Sequence, residues 1–267
     1  MIDWDDAYDN VGHIPGAASY PERWSQQASD YRSAADFAEL DIAYGSHPRE
    51  RYDLFHPRGQ ARGVVVVVHG GYWMRLDKSY WSDLAEGARV NGWKVAIPSY
   101  PLTPEARISE ITSRIGAAIQ QIGSNNKGPL RLAGHSAGGH LVTRMVCDDT
   151  PLPASIASRI EHILSISGLH DLRPLLRTRM NQTLGLTADE AEGESACLHQ
   201  PLERLSLTAW VGSDERPEYL RQMRCLCDHW KTDGARIEGI VDPGHHHFSI
   251  IEALGEPDSK IVGSLLS

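Results

Sequence analysis

The chain has 267 residues, of which 41% are hydrophobic, and it carries a formal net charge of −9 at pH 7. A chain of this size and composition can bury a substantial core, and we expect residues 1–267 to form a single α/β domain. The acidic balance disfavours a nucleic-acid partner, because nucleic acids are usually bound by a basic face.

The sequence favours a cytoplasmic protein with no membrane partner. Its longest strictly apolar run, Val64–Val68, is far too short to span a bilayer. The first six residues are acidic and lack the apolar run of a secretory signal. The four cysteines resemble neither a disulfide framework nor a zinc site, so we expect buried thiols in a reducing compartment.

The N-terminal part, up to about residue 39, is polar, and its apolar residues are too sparse for a core of its own. We expect it to form a flap over the main domain, with a helix over residues 20–39. Two short strands at 41–44 and 52–55 follow, separated by a turn rich in Gly, Ser and Pro. They predict the antiparallel edge of a mixed sheet.

Strands and helices then alternate. The β-branched run Val64–Val68 predicts a strand buried on both faces. Further strands are predicted at 95–97, 130–133, 160–166, 207–211 and 237–241. Helices are predicted at 79–91, 107–122, from 137 to about 147, at 217–232, and in a closing helix that begins over 248–254. This alternation predicts an α/β-hydrolase type of fold, with a mostly parallel central sheet wrapped by helices on both faces.

A His-Gly-Gly-Tyr-Trp run at residues 69–73 directly follows the all-valine strand. At this position a glycine pair lets the backbone pass close to a reacting oxygen and aim N–H groups at it. We expect Gly71 and Tyr72 to contribute to an oxyanion hole, and Tyr72 and Trp73 to contact the substrate. The alternative is a loop that only reverses the chain, with its aromatic residues packed in the core.

A Gly-His-Ser-Ala-Gly run at residues 134–138 lies between a predicted strand and a predicted helix. A strand that turns sharply into a helix presents one side chain at its tip and needs small neighbours. The helix that follows offers the N–H of Ala137 and a positive dipole end to a developing oxyanion. We therefore predict Ser136 as the nucleophile of a serine hydrolase; the alternative is a glycine-rich turn with an idle serine.

The acid and the base follow in the chain order that this fold requires. Asp214 and Glu215 come after the penultimate strand, and either carboxylate could orient a histidine. Three adjacent histidines follow the last strand, and we predict His247, next to Phe248, as the base. A metal site is the less favoured alternative, because consecutive side chains diverge and no HExxH spacing accompanies them. Residues 171–200 are irregular, and we interpret them as a small cap insertion over the site.

With these loops in view, the chain resembles the kynurenine formamidase (arylformamidase) branch of the hormone-sensitive-lipase-like α/β hydrolases. The resemblance runs over nearly the whole chain, and the HGGxW loop is its most specific motif. Further matching segments lie at residues 44–45, 49–55, 76–78, 133–141, 167–172, 217–222 and 247–248. Residues 194–197 depart from the pattern, because relatives tend to carry Ser-Pro there.

The resemblance implies that Ser136 is the nucleophile and His247 the base. The family's acid commonly lies two residues before a Pro-Glu-aromatic stretch, which favours Glu215. Where relatives carry aspartate in this role, the glutamate is a departure, and Asp214 remains the alternative.

The resemblance also implies a substrate class, a small-molecule aryl formamide such as N-formylkynurenine, or an acyl ester. A covalent acyl-enzyme would form, and no cofactor would be needed. A short-chain carboxylesterase with the same machinery is the alternative. A non-catalytic binding protein is a further one, because a fold does not fix a function.

Overall fold

An eight-stranded sheet runs through the centre of the protein. The structure is a computed structural model that describes residues 2–35, 37–231 and 235–267. The strands are β1 (Ala38–Ala43), β2 (Arg51–Phe55), β3 (Val64–Val68), β4 (Lys94–Pro98), β5 (Leu130–His135), β6 (Ile160–Ile166), β7 (Ser206–Gly212) and β8 (Arg236–Asp242). Their order is β1-β2-β4-β3-β5-β6-β7-β8. The β1–β2 and β2–β4 pairs are antiparallel, and the other pairs are parallel. The predicted mostly parallel sheet with an antiparallel edge is confirmed.

Helices of very different lengths connect the strands. They are α1 (Trp4–Ala7), α2 (Tyr20–Ala34), α3 (Ala85–Val90), α4 (Ile108–Asn125), α5 (Ala137–Arg144), α6 (Ala154–Ala157), α7 (Asn181–Leu184), α8 (Ala188–Gly193), α9 (Pro217–His229) and α10 (Lys260–Leu266). Short 3₁₀ helices lie between several of them. In the described part of the chain, none of the helices is both long and apolar enough to cross a bilayer.

The all-valine strand β3 divides the core into two halves, since successive strand side chains point to opposite faces. Val64, Val66 and Val68 pack in one cluster with buried residues of α4, α5 and α9. Val65 and Val67 pack in a second cluster with buried residues of α2, α3 and α10. Helices therefore cover both faces of the sheet, as the alternation of elements predicts.

The predicted helix over residues 20–39 is too long, because α2 stops earlier and the last residues of this stretch belong to β1. The strand predicted at 41–44 is correspondingly too short. Asp41 has a φ of 57°, and its backbone N–H donates to Asp53 Oδ1 at 2.9 Å. This irregularity interrupts the alternation of side chains along β1, which explains why the strand pattern is weak in the sequence.

The helix predicted at 79–91 is also only partly correct. The segment starts with two 3₁₀ turns, Lys78–Tyr80 and Ser82–Leu84, and becomes α-helical only in α3. Trp81 between the turns has φ −132° and ψ 11°, outside the helical region. Its ring packs against Trp24 with 4.8 Å between centroids, so tertiary packing overrides the local helix propensity here.

Two helices predicted in the C-terminal part of the chain have different bounds in the structure. Residues 248–254 form turns and enter a 3₁₀ helix, Glu252–Gly255, rather than the closing α-helix. Pro257 follows and lacks the N–H that a continuing helix needs; the closing helix is α10. The helix predicted at 217–232 corresponds to α9, which ends earlier, at His229; Thr232 lies outside the described residues.

Candidate active site

The tight turn between β5 and α5 presents Ser136. This residue has φ 56° and ψ −118°, a conformation that costs on the order of 1–3 kcal/mol for a non-glycine residue. A Cβ atom on Gly134 would lie 2.1 Å from the Gly138 carbonyl oxygen, and one on Gly138 would lie 2.0 Å from the Val68 carbonyl oxygen. Only glycine fits at these two positions. The Ser136 N–H donates to the Ile166 carbonyl at 2.8 Å, which anchors the turn to β6.

The loop after β3 approaches Ser136 closely. A Cβ atom on Gly70 would lie 3.0 Å from the Ser136 Cβ. Gly71, Tyr72 and Trp73 all have positive φ, at 108°, 52° and 56°. The loop therefore forms a compact turn in a conformation that favours glycine at its start.

Three backbone N–H groups beside Ser136 are free to donate. In the described residues, no protein acceptor pairs with the N–H of Gly71, Tyr72 or Ala137. Ala137 is the first residue of α5, where unpaired N–H groups and the positive dipole end are expected. Such donors suit an oxygen that becomes negative during a reaction.

The loops after β7 and β8 form a buried acid–histidine pair. Glu215 Oε2 accepts a hydrogen bond from His247 Nδ1 at 2.7 Å. Glu215 Oε1 accepts from the Ser167 hydroxyl at 2.5 Å and from the Gly212 N–H at 2.9 Å. Both carboxylate oxygens are thus satisfied, and His247 Nε2 remains available for another group.

Asp214, the alternative acid, lies in a different environment. Its side chain is exposed, and its Oδ1 accepts a hydrogen bond from the Ser213 hydroxyl at 2.8 Å. The structure brings Glu215, and not Asp214, to His247.

Two aromatic rings enclose His247. The Tyr219 and His135 rings lie 4.3 Å and 4.6 Å from it between centroids. His135 Nε2 donates to the His247 carbonyl oxygen at 2.9 Å. Burial, and secondarily the proximity of His247, holds the pKa of His135 well below its usual range. His135 is therefore neutral, and it supports the position of His247 without placing a charge beside it.

Ser136 and His247 line the same cavity, whose volume is about 650 Å³. No hydrogen bond joins their side chains within the described part of the chain. Catalytic hydrogen bonds are often long without substrate and shorten when it binds.

The three consecutive histidines point to different partners. His246 Nε2 contacts the Tyr20 hydroxyl at 3.2 Å, and His245 Nδ1 contacts the Ser249 hydroxyl at 3.4 Å. Two groups of described residues could hold a metal ion, and neither contains any of these histidines. The groups are Asp171, Cys197 and Cys225, and Asp148, Asp149 and His199.

The N-terminal segment supplies much of the cavity wall. Its lining residues are Asp3, Asp5, Asp6, Tyr8, Asp9, Asn10, Val11, Ala17, Ala18, Pro21 and Trp24. The insertion over 171–200 contributes Arg179 and Met180. Most leucines of this insertion are buried in the core instead, in the same hydrophobic cluster as Tyr8.

The two aromatic residues predicted to contact the substrate are separated in the structure. Tyr72 lines the cavity. Trp73 is fully buried and does not line it, because its indole packs edge-on against His140 with 5.1 Å between centroids. This loop therefore offers one aromatic side chain to a ligand.

The sequence did not reveal a buried network that joins the N-terminal segment to the site. Asn10 Nδ2 donates to the Tyr219 hydroxyl at 2.8 Å, and that hydroxyl is hydrogen-bonded to the Tyr72 hydroxyl. The Tyr72 hydroxyl donates to the Tyr8 carbonyl at 2.7 Å. Burial raises the pKa of both Tyr72 and Tyr219, so both phenols stay protonated. Tyr219 lies in a matched family segment, whereas Asn10 belongs to no motif.

Known proteins resemble this chain in sequence and fold. A family model described as the alpha/beta hydrolase fold matches residues 65–247. A kynurenine formamidase from Salmo salar is 29% identical over 242 residues, which cover 85% of this chain and 80% of that protein. The crystal structure of a candidate thioesterase from a Silicibacter species is 45% identical over 100% of both chains, with a TM-score of 0.95. Esterase B from Lactobacillus rhamnosis is 15% identical with a TM-score of 0.68, covering 97% of this chain and 91% of that one, and shares the fold.

Proposed function

The chain belongs to the alpha/beta hydrolase family and is a hydrolase, and we propose that it removes the formyl group from an aryl formamide such as N-formylkynurenine. The observation that carries the proposal is the buried Glu215–His247 pair, whose histidine lines the same cavity as Ser136. The named activity of the Salmo salar relative, kynurenine formamidase, supports the choice of substrate.

In the proposed reaction, the Ser136 hydroxyl attacks the formyl carbon and His247 Nε2 accepts its proton. Glu215 holds the Nδ1–H of His247, which fixes the tautomer and stabilises the imidazolium. The carbonyl oxygen becomes an oxyanion and accepts hydrogen bonds from the N–H groups of Gly71, Tyr72 and Ala137.

His247 then donates the proton to the leaving aryl amine, and a formyl ester of Ser136 remains. Water attacks this ester while His247 accepts a proton from it, and formate leaves with regeneration of the serine hydroxyl. The sum consumes one formamide and one water and yields one amine and one formic acid, which ionises. No step requires a group other than the residues named.

Hydrolysis of a short-chain ester or thioester is the second candidate. It would use the same nucleophile and donors, and the 45% identical Silicibacter structure, described as a candidate thioesterase, favours it. The cytoplasmic location indicated by the sequence stays a prediction.

Kinetics on three substrate classes test the assignment. We expect kcat/KM for N-formylkynurenine to exceed the values for p-nitrophenyl acetate and for S-phenyl thioacetate. Each rate should be measured against the Ser136→Ala variant, so that background hydrolysis is subtracted. A higher kcat/KM with the thioester would assign the protein to the thioesterases, and a higher value with the ester would assign it to the carboxylesterases.

A further inference from the structure

Two cysteines that are distant in sequence meet beside the insertion. Cys197 lies in the 3₁₀ helix Ala196–Leu198, and Cys225 lies in α9. Their Sγ atoms and a carboxylate oxygen of Asp171 all lie within 4.8 Å of one another. Both cysteines are free thiols. Cys197 is buried and Cys225 is partly exposed, so the pair is accessible to a small reagent from the Cys225 side.

Hydrogen bonds on both sides of Cys197 hold the two thiols near each other. The Trp230 indole N–H, just beyond α9, donates to the carbonyls of Ala196 at 3.0 Å and His199 at 2.9 Å. The Cys197 N–H donates to the His170 carbonyl at 3.0 Å. The fold therefore restrains the segments that carry the pair, which lowers the entropic cost of joining the two sulfur atoms.

The two thiols also have complementary reactivity. The adjacent Cys197 thiol lowers the pKa of Cys225, and His229, with Nδ1 3.9 Å from Cys225 Sγ, acts in the same direction. A lowered pKa favours the thiolate of Cys225, which is the nucleophilic form. Burial raises the pKa of Cys147 to about 12 and that of Cys227 to about 11, so these thiols are inert by comparison.

A metal ion fits this group of residues less well than a bond between the sulfurs. The Asp171 carboxylate already accepts from Arg173 Nε at 2.8 Å and from Arg221 Nη1 at 3.2 Å. Two guanidinium groups beside the third ligand oppose the approach of a cation.

We propose that Cys197 and Cys225 form a reversible disulfide that ties the insertion to α9, with a peroxide or a low-molecular-weight disulfide as the oxidant. With hydrogen peroxide, the Cys225 sulfur loses its proton and attacks one oxygen, a sulfenic acid forms, and the departing hydroxide takes up that proton and leaves as the first water. The Cys197 sulfur then attacks the Cys225 sulfur, and the second water leaves. Two thiols lose two electrons and two protons, and one peroxide is reduced to two waters.

With a small disulfide, the same bond forms by two exchange steps. Cys225 first forms a mixed disulfide and releases one small thiol, and Cys197 then displaces the second. The bridge would fix α9 to the insertion, and α9 also carries Tyr219 against the His247 ring. The inference depends only on the thiol pair, so it stands or falls separately from the proposed substrate.

Oxidation of the whole purified chain tests the proposal. The protein is treated with hydrogen peroxide or, separately, with glutathione disulfide, its free thiols are alkylated after denaturation, and unreduced peptides are mapped by mass spectrometry. We expect a loss of two hydrogens and a peptide pair that joins Cys197 to Cys225, with Cys147 and Cys227 recovered in alkylated form. The oxidised protein should melt about 5 °C higher, and dithiothreitol should reverse the shift.

Cys225→Ser should abolish both the peptide pair and the melting shift, and the matched variant Cys227→Ser should keep both. Phenylarsine oxide, which needs two neighbouring thiols, should label the untreated wild type at this pair and so provides a measurement without any variant. Over-oxidised or singly glutathionylated Cys225 with no bridge would overturn the proposal. So would zinc that copurifies with the wild type, is absent from Cys225→Ser and prevents oxidation.

Discussion

The loops at the carboxyl ends of the strands and the N-terminal segment, residues 2–24, line the same cavity by different means. The loops hold Ser136 and Tyr72 in positive-φ conformations, with glycines where a side chain would clash. The N-terminal segment is held by side-chain hydrogen bonds to distant residues, such as Asn10 to Tyr219. Local sequence thus positions Ser136, whereas long-range contacts build the wall of the cavity.

The N-terminal segment is more firmly attached than the predicted flap would suggest. The Tyr8 hydroxyl donates to Glu218 Oε1 at 2.8 Å, and Asp5 pairs with Arg179 of the insertion at 2.9 Å. A buried phenol that donates to a carboxylate contributes more than an exposed ion pair, because water screens the latter. We therefore expect changes in the loops around Ser136 to reduce kcat steeply, and changes in this segment to reduce activity more weakly while lowering the stability of the fold.

Replacing the nucleophile should have the largest effect. Ser136→Ala removes the attacking oxygen, and we expect kcat to fall by on the order of 10⁴- to 10⁶-fold, because the members of a triad act as a unit. The melting temperature should not decrease, since alanine keeps the backbone of the turn. Retention of more than a few per cent of wild-type kcat on any good substrate would contradict the proposed mechanism.

The second prediction separates two neighbouring acids. Glu215→Gln should lower kcat by about 10⁴-fold, because His247 would lose the carboxylate that fixes its tautomer. Asp214→Asn is the matched control, and we expect little change, because its carboxylate is exposed and, within the described ranges, its only hydrogen bond is with the neighbouring Ser213. Both variants should be compared at equal helical content. If Asp214→Asn were the more damaging change, the role of the acid would pass to Asp214.

The Ser136 turn and the acid differ in how well the sequence alone predicts them. Ser136 and its glycines follow from local sterics, so a short motif was sufficient to predict the turn. The choice between Asp214 and Glu215 depends on which carboxylate meets His247 across two loops, and the residues alone left it open. The resemblance to a known family favoured Glu215, which is the residue that the structure places against His247.

The contribution of the N-terminal segment could not be predicted in the same way. Asn10 and Tyr219 are more than two hundred residues apart in the sequence, and no periodicity or motif predicts a contact over such a separation. The insertion over residues 171–200 is interpreted from the sequence as a cap over the site, but its Leu172 and Leu175 are buried in the core. The apolar residues of the insertion pack in the core and not around the cavity, because burial in the core removes their surface from water.

Acid pH should destabilise the folded protein through buried histidines, three of which lie within residues 69–73 and 134–140, while the pKa values of His162 and His170 are lowered in the same way. Burial lowers the pKa of His69 to about 4 and that of His140 to about 3, and it lowers the pKa of His135 as well. In the unfolded chain these residues titrate near pH 6.5, so below that pH the unfolded state binds more protons and is favoured. Stability is fully present above about pH 6.5 and should be lost as the pH falls toward 4.

Urea denaturation at pH 7.5, 6.5 and 5.5 measures this effect. The free energy of unfolding should fall by up to about 1.4 kcal/mol per pH unit for each such histidine below pH 6.5. Replacing His69 by Gln should flatten the dependence. A free energy of unfolding that is constant or higher at pH 5.5 would mean that these histidines are not neutral in the folded protein.

Asn10→Ala tests how much the N-terminal segment contributes to activity and to stability. The Tyr219 hydroxyl would lose its amide donor, and we expect kcat/KM to fall about tenfold with a loss of about 1–3 kcal/mol in stability. Gln26→Ala, just after this segment in α2, is the matched control, because among the described residues its amide contacts only the exposed Asp30, at 2.8 Å. Equal effects of the two variants on kcat/KM would show that the segment acts as a passive cover.

The smallest expected effect concerns the length of the acyl group. Tyr72 lies beside the proposed oxyanion donors, and its hydroxyl is tied to Tyr219 and to the Tyr8 carbonyl, so the ring cannot easily move aside. Each added methylene should then meet this ring instead of gaining the usual ~0.8 kcal/mol of burial. We expect kcat/KM to fall by a few-fold at each step from acetyl to butyryl to octanoyl p-nitrophenyl esters.

Two variants at Tyr72 identify the ring as the cause. Tyr72→Gly removes the side chain at a residue whose φ of 52° suits glycine, and it keeps the backbone N–H proposed to hold the oxyanion. It should raise the octanoyl-to-acetyl ratio of kcat/KM, whereas Tyr72→Phe, which keeps the ring but loses the hydroxyl that holds it in place, should raise that ratio less. A wild-type optimum at eight carbons would exclude a small acyl pocket, because a chain of that length must then be buried with a net gain.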